Sequence, residues 1–289
     1  MSGNYHPKRR APASGGRRKK RIAAFLILAL ILAAAGTVLW RQNHPGTILY
    51  RDRELEIVRS VPRCRLDPEA FRPESGGRIS YEKNGGSAVF GIDVSHHQGK
   101  IDWEAVAGDG VRFAMIRLGF RGYATGELRA DACLEENLKG ARENGILVGA
   151  YFFSQAVTPQ EAEEEADFAL ELLDGRPLDY PLAFDWERIK PGRNARTDGL
   201  PGETVTACAA AFTDRIRQGG YVPMLYMNPD LGYLTYDLGT LPELPFWLAH
   251  FEERPDFCYD FDLWQYSSEG HVEGIRGKVD LDLDLRPAK

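Results

Sequence analysis

Two carboxylates separated by one residue, Asp185 and Glu187, end an apolar run that begins at Pro181. Side chains alternate along a strand, so both acids lie on one face and Trp186 lies on the other. Adjacent carboxylates separate each other's pKa values, so one can stay protonated while its neighbour is ionised. That pair is the equipment of glycosidic bond cleavage. Taken alone, the triplet also fits a solvated strand end.

A second strand repeats the arrangement. Within 89–95, Asp93 shares a face with Gly91 and Ser95, whereas the intervening residues are apolar. We expect the apolar faces to pack under helices and the acidic faces to look into a barrel, at the C-terminal mouth where such barrels hold their active sites. Two strands that deliver carboxylates to one rim favour catalysis over packing.

The elements that must position these acids follow from Ala88 onward, where short apolar runs alternate with amphipathic segments. This pattern predicts an α/β fold with a largely parallel sheet. The predicted strands are 89–95, 113–119, 147–153, 181–187, 222–228, 246–251, 261–267 and 278–285. The predicted helices are 102–107, 131–144, 160–174 and 203–219. Eight strands in this length predict a small TIM-like barrel.

The helical coat of this barrel is expected to be incomplete. The segments 252–260 and 268–277 have nine and ten residues, and a parallel crossover needs roughly a dozen or more. The last three strands should therefore lack helices, and at least one should run antiparallel. The predicted architecture is (β/α)5β3.

Seven ordered stretches carry a family resemblance: GIDVSHHQGKIDW (91–103), FAMIRLG (113–119), GILVGAYFFS (145–154), AFDWE (183–187), FWLAHF (246–251), WQYS (264–267) and VDLD (279–282). Together they resemble the glycoside hydrolase family 25 lysozymes, muramidases that cut peptidoglycan between N-acetylmuramic acid and N-acetylglucosamine. The resemblance covers about 88–286. It departs modestly at the histidine pair 96–97 and at His250.

The resemblance implies a role for each acid. Glu187 would be the general acid, and Asp185 would orient or charge the N-acetyl group of the substrate. Asp93 would line the cleavage site, and Asp280 would support the same rim. The route stays open between water attack with inversion and retention assisted by the substrate acetamide.

Aromatic and polar residues near strand ends are predicted to bind the glycan, because sugars present flat apolar faces to such rings. The predicted substrate-binding residues are Tyr151, Tyr226, Trp247, Trp264, Gln265, Tyr266 and His96. Core packing is the alternative, above all for Trp247. Neither a metal nor another cofactor is predicted, because no second histidine cluster accompanies His96 and the interleaved leucines of 280–284 are typical of a strand rather than a calcium loop.

The net charge of the chain limits the classes of partner that it can bind. Residues 41–289 carry 28 basic and 42 acidic side chains, a net charge of −14, so nucleic acid is an unsuitable partner. We expect a monomeric catalytic domain that acts on peptidoglycan glycan strands. The alternatives are a non-catalytic peptidoglycan-binding barrel and a glycosidase for another N-acetylated glycan such as chitin.

The N-terminal region predicts a membrane anchor. A basic cytoplasmic tail (1–21) precedes the uncharged run 22–40, which is long enough to span the lipid bilayer, and a stem (41–87) follows. The catalytic domain (88–289) would then lie outside the cell. The alternative is a signal peptide cleaved near Ala35, which would release a secreted protein. The four cysteines fit disulfides and thiols equally well.

Overall fold

Eight strands form a closed barrel in which every strand pairs with its neighbours in sequence and the last pairs with the first. The computed structural model describes residues 46–241 and 243–288. The barrel strands are β1 (Val89–Val94), β2 (Phe113–Arg121), β3 (Leu147–Ser154), β4 (Leu182–Trp186), β5 (Pro223–Met227), β6 (Phe246–Ala249), β7 (Leu263–Gly270) and β8 (Val279–Asp284). Their bounds lie within three residues of the predicted ones.

A helix follows each of the first five strands. The helices are α1 (Trp103–Gly108), α2 (Leu134–Glu143), α3 (Pro159–Leu173), α4 (Gly202–Gln218) and α5 (Pro229–Leu234). The outward faces of the strands pack beneath them, as when Phe184 of β4 meets Phe212 of α4 at 5.1 Å between ring centroids. The side chain of Thr158 accepts the backbone N–H of Glu161 and so caps α3, whose first residue is a proline.

The last three strands are connected without helices, through the segments 250–262 and 271–278. Strand β8 runs antiparallel to both β7 and β1, so the prediction of an antiparallel strand here is confirmed. Because β8 begins where the parallel strands end, Asp280 lies directly opposite Asp93 in the β8–β1 register. Its reversed direction thus brings an acid to the mouth of the barrel.

An additional layer covers the outer face of β7. Strands Phe71–Pro73, Ile79–Lys83 and Gly86–Ser87 form a small antiparallel sheet. The ring of Phe71 contacts Trp264 edge-on, with centroids 5.1 Å apart. The compact unit that contains the barrel begins at Val58 and includes this sheet, which packs an apolar ring against β7 where helices are missing.

Residues 46–57 belong to a separate compact unit. Strands Thr47–Tyr50 and Arg53–Glu56 form a hairpin, and Arg51 and Asp52 make its turn with φ values of 48° and 60°, as a two-residue hairpin turn with left-handed backbone requires. The predicted tail (1–21) and anchor (22–40) lie outside the described residues. Among the described residues, no helix combines the length and apolarity needed to cross a bilayer.

The interior of the barrel is packed with inward-facing side chains rather than hollow. Phe113 stacks on Tyr180 with ring centroids 4.5 Å apart. Gly91 leaves room for this layer, because a Cβ at its position would lie 2.2 Å from the Phe113 ring. At this closed end, which we call the floor, the Tyr180 hydroxyl donates to Asp284 Oδ2 at 2.8 Å. The free space is therefore confined to the opposite end.

Candidate active site

A cavity of about 920 Å³ opens at the mouth of the barrel. Four acids from three strands line it together: Asp93, Asp185, Glu187 and Asp280. The alternation that predicted inward-facing acids on β1 and β4 therefore places them in one site. Because β8 is reversed, Asp280 joins them from the start of its strand rather than from the end.

Asp185 and Glu187 differ in exposure and in environment. Asp185 is only 5% exposed, and its Oδ1 atom has no hydrogen-bond partner among the described residues. Burial and the charge of Glu187 raise the pKa of Asp185 well above its usual range. Glu187 is half-buried just beyond the strand end, and burial followed by the charge of Asp280 raises its pKa to about 7. A carboxyl with that pKa can both hold and release a proton near neutrality.

Three acids are crowded between β1 and β8. Burial and the charges of Asp280 and Asp282 raise the pKa of Asp93 well above its usual range. Burial also raises the pKa of Asp282 to about 8, and its Oδ2 atom has no hydrogen-bond partner among the described residues. Burial raises the pKa of Asp280 to about 6. The acids between these strands therefore do not all carry full charge at neutral pH.

Neutral hydrogen-bond donors hold the side chains of Asp93 and Asp282 in place. Gln265 Nε2 donates to Asp93 Oδ2 at 2.7 Å, and its Oε1 atom accepts the Tyr226 hydroxyl at 2.9 Å. Trp247 Nε1 donates to Asp282 Oδ1 at 2.8 Å. Since Asp282 is fully buried, it acts through Asp93 rather than on a ligand. The β8 alternation of leucine and aspartate was the sequence signal for it.

A buried arginine reaches the cavity from β2. Arg117 is 7% exposed, and its Nε donates to Asp131 Oδ2 at 2.8 Å. His96 lies against both groups, with Nδ1 3.1 Å from Asp131 Oδ2 and in hydrogen-bond contact with Arg117 Nη2. The charge of Arg117 lowers the pKa of Asp185 against the effect of burial. Sequence reasoning missed Arg117, although it shares the inward face with Phe113 and Met115.

Gln155 is a second residue that sequence reasoning missed. It is fully buried just beyond β3, and its Nε2 donates to the backbone carbonyl of Glu187 at 3.1 Å. Its Oε1 accepts the Thr197 hydroxyl at 2.9 Å. Gln155 thereby connects the backbone of Glu187 to Thr197 in the loop that follows β4. A buried amide after a strand gives too weak a pattern to be recognised in the sequence.

The structure brings together most of the predicted substrate-binding residues. Tyr151, Tyr226, Trp247, Gln265 and His96 all line the cavity with the acids. Trp247 also belongs to the packed interior, and its binding of substrate stays a prediction. Exposed Phe251 adds an aromatic side chain at the rim.

Trp264 and Tyr266 do not line the cavity, and their prediction as substrate-binding residues is corrected here. Strand alternation turns Gln265 inward and both rings outward. There Trp264 packs against Phe71, and its Nε1 donates to the carbonyl of His250 at 2.8 Å. Both rings are therefore part of the core beneath the additional sheet.

This arrangement can donate a proton from Glu187 to a ligand held against aromatic rings. The neighbouring carboxylates can stabilise positive charge that develops on the ligand. Among the described residues, no group of three or more His, Cys, Asp or Glu side chains is arranged to hold a metal ion. The chemistry available from these side chains is acid catalysis with electrostatic support.

Comparisons with known proteins agree with this chemistry. The family model for Glycosyl hydrolases family 25 matches residues 92–275. The uncharacterized protein YegX of Escherichia coli K12 is 31% identical over 204 residues, which cover 68% of this chain and 69% of that protein. Lysozyme M1 of Streptomyces globisporus is 29% identical over 207 residues, covering 67% of each. The crystal structure of a lysozyme from Streptomyces coelicolor superposes with a TM-score of 0.57 at 27% identity, covering 67% of this chain and 90% of that one.

Proposed function

The chain belongs to glycosyl hydrolase family 25 and is a glycoside hydrolase of the muramidase type, and from this premise we propose that Glu187 is its general acid. The bond cleaved is the β-1,4 link between N-acetylmuramic acid and N-acetylglucosamine in peptidoglycan. The observation that carries the assignment is Glu187 itself, a half-buried carboxyl at the mouth with a pKa raised to about 7 by burial and the charge of Asp280.

In this mechanism Glu187 protonates the glycosidic oxygen as the bond to the anomeric carbon breaks. The sugar ring gains positive charge, which Asp93 and Asp280 stabilise from the neighbouring strands. Asp185 offers its unpaired, buried Oδ1 to the N–H of the substrate N-acetyl group, because an amide donor would satisfy that atom. Attack on the anomeric carbon then comes from water, or from the acetamide oxygen followed by water.

The cavity walls fit a glycan strand. Tyr151, Tyr226 and Trp247 line the cavity, and the Trp247 ring lies 4.9 Å from Tyr226 and 5.9 Å from Tyr151 between centroids. Sugars pack on such surfaces while their hydroxyl and amide groups meet the polar residues. One barrel supplies both the acids and the aromatic wall that this mechanism uses, and we propose that the catalytic unit acts as a monomer.

The experiment that tests this function digests purified cell walls with the full-length chain and identifies the new reducing ends by mass spectrometry. Muramidase action leaves N-acetylmuramic acid at the reducing end, and the Glu187→Gln variant is the matched control. Reducing ends of N-acetylglucosamine would assign a different glycosidase. Retention on walls without cleavage would favour a binding barrel, and cleavage of chitin alone would change the substrate.

We also propose that residues 22–40 anchor the protein in the cell membrane, with residues 1–21 in the cytoplasm and the barrel outside. The distribution of charge supports this proposal. Residues 1–21 carry eight Lys or Arg and no acid, and the nineteen residues that follow are uncharged. Protease added to intact cells or protoplasts should remove the barrel. Protection of the barrel until lysis would refute this orientation, and a soluble form that begins at Gly36 would show cleavage near Ala35.

A further inference from the structure

One loop of the mouth has a charge opposite to that of its surroundings. The loop that follows β4, residues 188–198 and here called the mouth loop, contains Arg188, Lys190, Arg193 and Arg196 with no acid before Asp198. The 249 residues from 41 to 289 carry a net charge of −14. A run of four cations beside the acidic site is therefore a local exception.

The second half of the mouth loop is fixed by buried contacts. Both terminal nitrogens of Arg196 pair with the two carboxylate oxygens of Glu161, at 2.7 and 2.6 Å. The backbone N–H of Arg196 donates to the carbonyl of Tyr123 at 2.8 Å, and the hydroxyl of buried Thr197 donates to Gln155. These contacts fix the end of the mouth loop, and Lys190 and Arg193 of its first half line the cavity.

Lys190 and Arg193 remain available in that first half. Both are exposed and both line the cavity that contains Glu187. Over the part of the chain that the structure describes, neither side chain has a salt bridge or a hydrogen bond. Arg188 differs, since its Nη2 donates to Thr235 at 3.1 Å and its guanidinium lies over the Trp186 ring.

Electrostatic balance of the catalytic acids does not account for these two cations. The arginine that lowers the pKa of Asp185 is Arg117, which is buried and already paired with Asp131. Lys190 and Arg193 instead extend from the exposed side of the loop. A ligand that approaches the acids with an anionic substituent would meet them at the rim, where opposite charges favour encounter and orientation.

We propose that Lys190 and Arg193 form a subsite for the carboxylates of the peptides attached to muramic acid. This inference rests on the proposed muramidase function. The sugars of the intact strand are neutral, because the lactyl carboxyl of muramic acid is held in the amide bond to the peptide, and the carboxylates belong to the peptides. The anionic groups of a peptidoglycan strand are thus carried by the very sugars whose bonds the acids cleave, and cations at the rim can read them while the sugar rings lie on the aromatic wall.

The test compares two substrates from the same wall, glycan strands with their peptides and strands freed of peptides by an amidase. Amidase cleavage leaves a free lactyl carboxylate on each muramic acid, so this group is converted to a neutral methylamide and the two substrates then differ in the peptide carboxylates. The quantity measured is the ratio of kcat/KM on the two, for the full-length chain and for Lys190→Gln/Arg193→Gln. Two exposed ion-pair contacts predict that this ratio falls about three- to tenfold in the variant. In this variant the ratio should also depend less on added salt than it does in the parent chain. The matched control Arg59→Gln/Arg65→Gln removes equal charge from exposed positions outside the cavity and should leave the ratio unchanged.

An unchanged ratio in the Lys190/Arg193 variant, or an equal fall in the control, would overturn the subsite. The parent chain could instead lose its advantage over the variant when phosphate-rich wall polymers are removed, but keep it when peptides are removed. That result would overturn the peptide subsite in favour of a phosphate ligand. Binding to the same two substrates, in insoluble form, is also measured. Here Glu187→Gln is compared with the protein that carries Glu187→Gln together with Lys190→Gln/Arg193→Gln. Absence of cleavage by the parent chain would then refute the muramidase function, while the binding ratio still decides the subsite.

Discussion

At the floor of the barrel, Asp284 accepts hydrogen bonds from Tyr180 and from the guanidinium and backbone N–H of Arg286. At the mouth, Asp185 is similarly buried, yet its Oδ1 has no partner among the described residues. Both acids are inward-facing aspartates on barrel strands. The floor aspartate is held by its partners, as a structural group is, whereas one carboxylate oxygen of Asp185 at the mouth stays unpaired and can accept a hydrogen bond from a ligand.

The same contrast runs along β8 alone. Asp280 lines the cavity, Asp282 is fully buried against Trp247, and Asp284 is paired at the floor. Their spacing of two residues puts all three on one face. Position along the barrel axis therefore distinguishes a candidate catalytic group, a positioning group and a structural group of identical chemistry.

The largest effect on turnover is expected for Glu187→Gln. The amide keeps the size and polarity of the side chain but has no proton to transfer, so kcat on cell walls should fall about a hundred- to ten-thousandfold. The release of soluble wall fragments measures this, with thermal unfolding as the control for folding. Near-normal wall cleavage would mean that another residue donates the proton.

Asp185→Asn should lower kcat about a hundred- to thousandfold, because an amide cannot ionise beside the developing cation. A substrate with an activated leaving group separates the two acids, since it needs little protonation. It should partly restore turnover in Glu187→Gln and not in Asp185→Asn. Equal rescue of both variants would contradict this division of roles.

Gln155→Ala should cost about tenfold in kcat, because it removes the hydrogen bond to the Glu187 carbonyl and the link to Thr197. Gln155 is a positioning residue, so the pH at which activity declines should also shift as Glu187 changes its surroundings. The control is Thr213→Val, which removes a buried hydroxyl bonded to the Ala209 carbonyl in α4. A loss of stability in both variants with identical pH profiles would leave Gln155 with a structural role alone.

Asp280→Asn should change kcat less than tenfold at acid pH but should move the alkaline limb of the pH profile. Burial and the charge of Asp280 raise the pKa of Glu187 to about 7, and Glu187 must be protonated to act. Activity should therefore decline as pH rises through about 7 in the parent chain. Removing the Asp280 charge lets Glu187 ionise at lower pH, so the decline should begin earlier. A shift to higher pH would have the wrong sign for this interaction.

The smallest effect on turnover is expected for Asp284→Asn, which alters the floor. The variant loses the ion pair with Arg286 and weakens the bond from Tyr180, so the free energy of unfolding should fall by about 1–3 kcal/mol. Urea unfolding measures it, and kcat per folded molecule should equal that of the parent chain. A large fall in kcat would show that the floor and the mouth are coupled.

Most of the barrel was predictable because its signals are local. Apolar runs of strand length and amphipathic helices recur in order, and short connections limit the last three strands. Alternation alone placed Asp93, Asp185 and Glu187 on inward faces. The errors at Trp264 and Tyr266 came from treating closeness to a strand end as sufficient, although the same alternation turns both rings outward.

The sequence by itself determined which residues face inward and which strands end in acid, since period-two alternation is a property of each strand. Only the tertiary structure decided which groups meet across 14 or more positions, such as the side chains of Arg117 and Asp131, or the Gln155 amide and the Glu187 carbonyl. It also decided that the small sheet within residues 71–87 packs against Trp264 of β7. These contacts depend on closure of the barrel and on burial, and a pairing between distant residues leaves no periodic trace in one chain.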